Sequence, residues 1–284
     1  PAFSSFLPGL AGIKGIPLWV YYTNRGQGIN SFGIHNKNNA IMEFNPANTA
    51  YENTAIKGFR TFIKCDGQYF EPFCSLDKKA KRTLYIRKNS FAIEETNLHY
   101  GLRIKVNYTV LPEESIGALV RHVTIDNLDN KSKAVEVLDG LPKIIPYGIS
   151  NSAFKEMSNL LKSWSDIKNI EQKVPYFTMR SSSDDSSEVS EIEGGYFYLT
   201  VHDGNILPVI YDSELIFEYD TSLINPIGFM DQPLSELMAK KQCFYNKVPC
   251  GFTPQHFTLE ALQTYQFYTL IGFAGSFDEC RLPI

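Results

Sequence analysis

The tightest constraint in this chain is a strict alternation of apolar and polar residues over two consecutive stretches. Between Tyr100 and Leu111, the residues Leu102, Ile104, Val106 and Tyr108 alternate with Arg103, Lys105, Asn107 and Thr109. Between Gly117 and Asp126, Leu119, Arg121, Val123 and Ile125 alternate with Val120, His122, Thr124 and Asp126. A period of two sends successive side chains to opposite faces of an extended chain, so each stretch reads as a strand. Asp126 to Lys133 is polar and rich in Asn and Asp, which reads as a turn. Ala134 to Leu138 follows as a short strand, with Pro142 and Pro146 closing the unit. The stretch from Gly117 to Gly148 is therefore expected to be a β-hairpin at the centre of a large antiparallel sheet.

Strands recur on both sides. Leu18 to Tyr22, Ser31 to His35, Ala40 to Phe44, Arg82 to Ile86 and Ser90 to Glu95 all read as short strands. Phe59 to Lys64 and Gln68 to Phe73 pair across Asp66-Gly67, a two-residue hairpin signal. Phe154, Met157, Leu160, Leu161, Trp164 and Ile167 recur at three- and four-residue spacing, which predicts an amphipathic helix over 152–170. Tyr196 to His202, Val209-Ile210 and Leu215 to Tyr219 resume the strands. Pro233 to Lys241 reads as a short helix, and His256 to Leu262 with Tyr265 to Ala274 as a final strand pair around Gln263-Thr264. Residues 1–17 read as an extended arm, and 181–193 as an acidic, Ser-rich solvated loop. The expectation is one mainly β domain over 18–284, an antiparallel sandwich with one or two short helices.

Composition narrows the function. The 284 residues carry a net charge of −4, and Lys and Arg form no long run, so nucleic acid is not the expected partner. No apolar run reaches the roughly 20 residues of a membrane span. The first residues lack the basic start and apolar core of a signal peptide. The five cysteines include no C-x-x-C pair, so free thiols in a reducing, cytoplasmic compartment are expected, with neither metal nor cofactor. Aromatic residues reach 13%. Aromatic rings suit pleated strands, and they also stack on sugar rings.

Two groups of residues are candidates for a site. Trp19, Tyr21, Tyr22, Asn24 and Arg25 place an aromatic strand beside an amide and a guanidinium, which is what a sugar needs. Equally, they fit a core strand with a capped turn. Arg60, with Phe59 and Phe62 nearby, is a weaker candidate of the same kind. Of the five histidines, His122 and His202 lie on predicted strands and are the acid/base candidates, for instance His202 paired with Glu214. The adjacent pairs Glu94-Glu95 and Glu113-Glu114 point to opposite faces of an extended chain, so neither forms a catalytic pair. No nucleophile motif of the G-x-S-x-G kind occurs.

Three segments resemble a known family. They are the strand that runs from Arg121 into Asp126-Asn127, the aromatic entry segment Leu18 to Phe44, and FTLEALQTYQFYTLIGFAG from Phe257 to Gly275. Together they resemble the N-terminal β-supersandwich (galactose mutarotase-like) domain of the glycoside hydrolase family 94 phosphorylases, which include cellobiose and chitobiose phosphorylase-like enzymes. The chain departs from that pattern at Leu262-Gln263-Thr264, where a Pro-Gly turn is expected, and at Asp139 to Gly148. The resemblance implies a non-catalytic domain that packs on an (α/α)₆ barrel of the same polypeptide. That barrel carries the catalytic acid and the phosphate site, and the sandwich shapes the active-site mouth or a homodimer. A related topology serves sugar mutarotases, which use a His acid and a Glu base. A mutarotase-like epimerase and a free-standing carbohydrate-binding module are the alternatives.

Overall fold

The computed structural model describes residues 2–9, 13, 15–74, 79–181 and 192–280. Most of the acidic loop expected at 181–193 lies outside them. The chain opens with β1 (Ser4–Leu7), β2 (Leu18–Thr23), β3 (Ile29–Ile34) and β4 (Ala40–Met42), which form one sheet in that order. Part of the expected arm is thus an edge strand, with Ser4 opposite Thr23 and Leu7 opposite Val20. Helix α1 (Ala47–Lys57) follows. Its apolar periodicity is weak, because only Ala50 and Thr54 are buried, so no sequence pattern announces it. Then come β5 (Arg60–Cys65) and β6 (Gln68–Phe70), turned by Asp66 and Gly67 at φ 49° and 80°. Two consecutive positive φ values give the hairpin turn that matches strand twist.

The next strands are β7 (Lys81–Ile86), β8 (Ser90–Asn97), β9 (Leu102–Val110), β10 (Gly117–Asn127) and β11 (Lys133–Leu141). Helix α2 (Asn151–Leu161) leads into β12 (Ser165–Lys168), β13 (Tyr176–Met179), β14 (Gly195–His202) and β15 (Asn205–Ile206). The helix expected over 152–170 therefore stops short. Its chain kinks at Met157, and Ile167, expected on the helix, lies on β12. Three short helices follow, α3 (Ser213–Phe217), α4 (Ile227–Met230) and α5 (Leu234–Ala239). Leu215 to Tyr219 is thus helical at its start rather than a strand, because the Asp212 side chain caps the Glu214 amide and begins a turn. The chain then forms β16 (Gly251–Leu259) and β17 (Thr264–Ala274).

The fold is mainly β and antiparallel, as expected, with five short α-helices among the described residues where one or two are expected. A large sheet runs β12-β13-β14-β17-β10-β9-β8-β7, with β15 beside β14. A small sheet runs β16-β11-β5-β6. The hairpin expected at Gly117 to Gly148 and the final strand pair expected at His256 to Ala274 are not hairpins. β10 pairs with β9 and β17, while β11 pairs with β5 and β16. Likewise β16 and β17 lie in different sheets. Each pair forms an arch, with one strand in each layer and the polar connection spanning the gap. A polar loop between two alternating strands looks the same in either case, because alternation fixes which face is buried but not what the edge pairs with.

The two arches lock together through Asn127, which is 2% exposed. Its side-chain amide donates to the carbonyls of Lys131 (2.7 Å), Leu259 (3.1 Å) and Glu260 (2.9 Å). Its backbone amide donates to Gln263 O, and the Leu262 amide donates to Asp129 O.

The main core lies between the large sheet and the other two. It includes Phe91, Ile104, Val106, Leu119, Val123 and Ile125 from one side. Val20, Phe32, Ile63, Val135 and Val137 face them. The outer face of the small sheet is also covered. Phe62, Leu138 and Phe252 pack under Ile216, Phe217, Phe229 and Leu237 of α3 to α5. Fully burying one such side chain stabilises by roughly 1.5–3 kcal/mol.

One polar cluster crosses the core. Arg121 of β10 and Asp139 of β11 are both essentially buried and meet at 2.6 Å. Arg121 also donates to Gln27 Oε1 (2.6 Å) and to the Tyr108 hydroxyl. Asp139 accepts from Thr61 Oγ1 (2.6 Å), and the Tyr198 hydroxyl donates to its backbone carbonyl (3.2 Å). Burial works against the Arg121 charge, but Asp139 and Tyr108 outweigh it and hold the guanidinium above its ordinary value. Burial pushes the Tyr108 and Tyr198 phenols up.

Candidate functional site

The outer face of the large sheet differs from the inner one. At the β14 end it is apolar and covered: Ala118, Phe197 and Ala274 pack with Cys280 and Phe277 of the C-terminal segment. Toward β7 it is open, and a cleft of about 630 Å³ lies on strands β7 to β10.

The strand registers build this face row by row. In the first row Lys81, Thr96, Arg103, Asp126 and Thr264 are cross-strand neighbours. The second holds Thr83, Glu94, Lys105, Thr124 and Gln266. The third holds Tyr85, Ala92, Asn107, His122 and Tyr268. The fourth, Ser90, Thr109, Val120 and Leu270, turns apolar toward β14. With strands ~4.8 Å apart, the third row spans roughly 19 Å between its two tyrosines.

Several polar side chains of the cleft are held by neighbours. Arg103 Nε donates to Asp126 Oδ2 at 2.7 Å, and Thr264 Oγ1 donates to Asp126 Oδ1 at 2.7 Å. The hydrogen bond and charge of Asp126 keep Arg103 above its ordinary value. The His122 ring stacks on Tyr268 at 4.2 Å and 8°, and its Nε2 lies 3.1 Å from Gln266 Oε1. Tyr85 donates to Glu94 (3.4 Å), and its ring receives the Lys105 ammonium at 5.2 Å. Tyr85 and Tyr268 remain 38% and 42% exposed, so both side chains are partly open to solvent. Such a surface offers apolar ring faces flanked by directed donors and acceptors.

The sequence-predicted site residues fare differently. Tyr21 and Tyr22 are 6% and 4% exposed and belong to the interior. The Tyr22 ring stacks on Phe91 at 4.5 Å, and Tyr21 packs against Phe6 and Phe44. Trp19 packs edge-on to Phe44, with Nε1 donating to Asn36 O. These rings alternate along β2 as packing demands and offer no continuous platform to a sugar. Asn24 accepts from the Phe3 amide and from Arg25, whose guanidinium lies over the Tyr51 ring. Together they cap the turn and tie β1 to it. Arg60, 3% exposed, forms a two-bond clamp on Glu71 (both 2.7 Å) and donates to Ile224 O and Leu223 O. It staples the segment before α4 to the small sheet.

His122 lies in the cleft, whereas His202 does not. Thr200 Oγ1 meets Thr269 Oγ1 on the inner face, and strand alternation puts His202 on that same side. There the His202 ring packs on Tyr265 at 4.2 Å, and Nδ1 lies 2.7 Å from Gln266 O. Glu214 sits on α3 and accepts from Lys247 at 2.6 Å. The trio His122, His202 and Glu214 is therefore distributed over separate places. Sequence reading identified the polar halves of β9 and β10 but did not join them. The signal was present: two consecutive alternating strands whose hydrogen-bonding residues share one phase. It also passed over a basic stretch, since Lys78, Lys79, Lys81, Arg82, Arg87 and Lys88 all fall between positions 78 and 88.

Among the described residues no cluster of metal-ligating side chains occurs, and no helix is long and apolar enough to cross a membrane. The five cysteines are free, and three of them are buried.

No protein-family profile matches the chain, and no curated protein does. Among solved structures, a polysaccharide lyase aligns with 94% of this chain and 34% of its own, at 9% identity and a TM-score of 0.45. A bacterial glucoamylase solved with acarbose aligns with 99% of this chain and 34% of its own, at 10% identity and a TM-score of 0.43. The chain thus spans about a third of the length of either structure.

Proposed function

We propose that this chain is a non-catalytic β-sandwich domain of a carbohydrate-active enzyme, and that the open face over β7 to β10 is where it meets sugar. The observation that carries this reading is the third row of that face. Two part-exposed tyrosines end a row that holds Asn107 and His122: Tyr85 lines the cleft, Tyr268 stacks on His122 beside it, and the row is long enough for several sugar rings. Sugars are bound by ring stacking plus directed hydrogen bonds, and this row supplies both. The likeness of the segments around Arg121, Leu18 and Phe257 to family 94 supports the finer reading. On it, the domain packs on a helical (α/α)₆ barrel and shapes the mouth of its active site. Separation of His122 from His202 and Glu214 weighs against an epimerase built on those three.

The test is titration calorimetry of this chain with β-linked gluco-oligosaccharides of two to six units. Binding is expected, and Tyr268→Ala and Tyr85→Ala should each weaken it about three- to tenfold, the worth of one aromatic stacking contact. Binding that neither substitution alters sinks the groove as a sugar site, as does absence of binding to any oligosaccharide, neutral or acidic. Sugar turnover by this chain alone sinks the non-catalytic reading.

A further inference from the structure

The open face carries a charge of opposite sign to the whole chain. Its cleft and rim hold Lys81, Arg87, Arg103 and Lys105 against Glu94 and Asp126, in a chain of net charge −4. Both carboxylates are occupied. Asp126 accepts from Arg103 and Thr264, and Glu94 accepts from Tyr85. Three of the cations are not. Among the described residues Lys81, Arg87 and Lys105 form no ion pair. Lys105 is the informative one. Glu94 is its direct cross-strand neighbour, yet the ammonium turns to the Tyr85 ring instead. A cation left without its nearest anion, over an aromatic face in a cleft, remains available to a ligand anion.

We infer that the groove takes a sugar chain bearing carboxylate or sulfate groups, with Arg87 and Lys105 as the residues that meet its charge. This inference rests on the carbohydrate reading of the same face and adds the substrate class. The geometry separates the two tasks. Tyr85 and Tyr268 bound the row on which sugar rings stack, and Lys105 stands one row to its side between them. Arg87 lines the same cleft beyond the opposite side of that row. A chain lying along the row would therefore pass between two cations.

The experiment compares four probes of matched length on the whole chain: a neutral β-linked oligoglucose, an oligouronate, a sulfated oligosaccharide and a single-stranded oligonucleotide. The oligouronate or the sulfated probe should bind at least tenfold tighter than the neutral one, and the preference should shrink as salt rises. Lys105→Gln and Arg87→Gln should each reduce anionic binding about two- to fivefold and change neutral binding by a smaller factor. Whichever anionic probe prevails identifies carboxylate or sulfate as the recognised group. Equal or tighter binding of the neutral sugar overturns the inference and leaves the carbohydrate reading standing. Oligonucleotide binding as tight as the anionic sugars', or anionic binding indifferent to both substitutions, overturns it too. If no sugar of any kind binds, the carbohydrate reading falls with it.

Discussion

Strands β9 and β10 have two faces made from the same residues in alternation, and the two faces treat charge in opposite ways. On the inner face, Arg121 is 1% exposed and every direction of its guanidinium is answered by Asp139, Gln27, Thr61 or Tyr108. On the outer face, one residue along, His122 lies in an open cleft with Lys105 nearby, and that ammonium has no carboxylate. Desolvation explains the contrast. A buried charge without partners would cost several kcal/mol, so the inner face must be satisfied for the chain to fold. Water tolerates an unpaired charge on the outer face, so that charge can be kept for a ligand. Residues fully engaged within the chain report on its architecture, and those left open report on what it meets.

The largest effect should come from breaking the inner network. Asp139→Ala leaves the Arg121 guanidinium buried without its carboxylate and strands the Thr61 hydroxyl. Loss of one partner of a buried pair typically costs about 3–5 kcal/mol. Denaturant unfolding should show a loss of unfolding free energy of that size, read as a lower midpoint at unchanged slope. Replacing both partners by Leu should cost less than Asp139→Ala alone, because no charge is left stranded. If the double replacement is the more damaging, the pair contributes net stability and the contrast drawn above is too simple.

Alkaline pH should separate the two faces by a second route. Burial holds Tyr108, Tyr196 and Tyr198 above the ordinary phenol range, and pushes Tyr265 up to about 12. Unfolded tyrosines ionise near pH 10. Folded pKa values above the unfolded one mean that the stability is intact below about pH 10 and is lost as pH rises through the folded values. Ultraviolet titration should therefore show a block of tyrosines that ionises only at about pH 12 or with unfolding, and Tyr108→Phe should remove one member of it. A protein whose tyrosines all ionise together near pH 10 while still folded would contradict the inner-face burial.

What the sequence revealed of this arrangement follows from the same alternation. The period of two in Leu102 to Thr109 and Leu119 to Asp126 correctly gave strand, phase and buried face. It also set Arg121 among Leu119, Val123 and Ile125, a cation on an apolar face, but that its partner is Asp139 of the other layer is seen only in the structure. Pairing partners were not legible. The polar stretch Asp126 to Lys133 serves an arch as well as a hairpin, and only the contacts of Asn127 with Leu259 and Glu260 show which. Aromatic residues misled for a related reason. Tyr21 and Tyr22 carry the composition of a sugar platform, but a sheet covered on both sides buries both phases of a strand. Tyr85 and Tyr268 looked unremarkable because their exposure depends on which end of the sheet the C-terminal segment covers.

The smallest expected effect is the most discriminating. Lys105→Gln, Arg87→Gln and Tyr268→Ala remove groups from the open face that no buried network uses, so each should change unfolding free energy by no more than about 0.5 kcal/mol. The comparison is sharpest at adjacent positions on one strand. Arg121→Gln and His122→Gln differ by a single residue in the chain and by the whole sheet in their surroundings. The first should lower stability by several kcal/mol through a buried carboxylate left without its guanidinium. The second should leave stability near that of the parent and weaken ligand binding. A His122→Gln variant destabilised as strongly as Arg121→Gln would mean that the stack on Tyr268 and the contact with Gln266 serve the fold. The groove would then be an extension of the core's packing, with no capacity held open for a ligand.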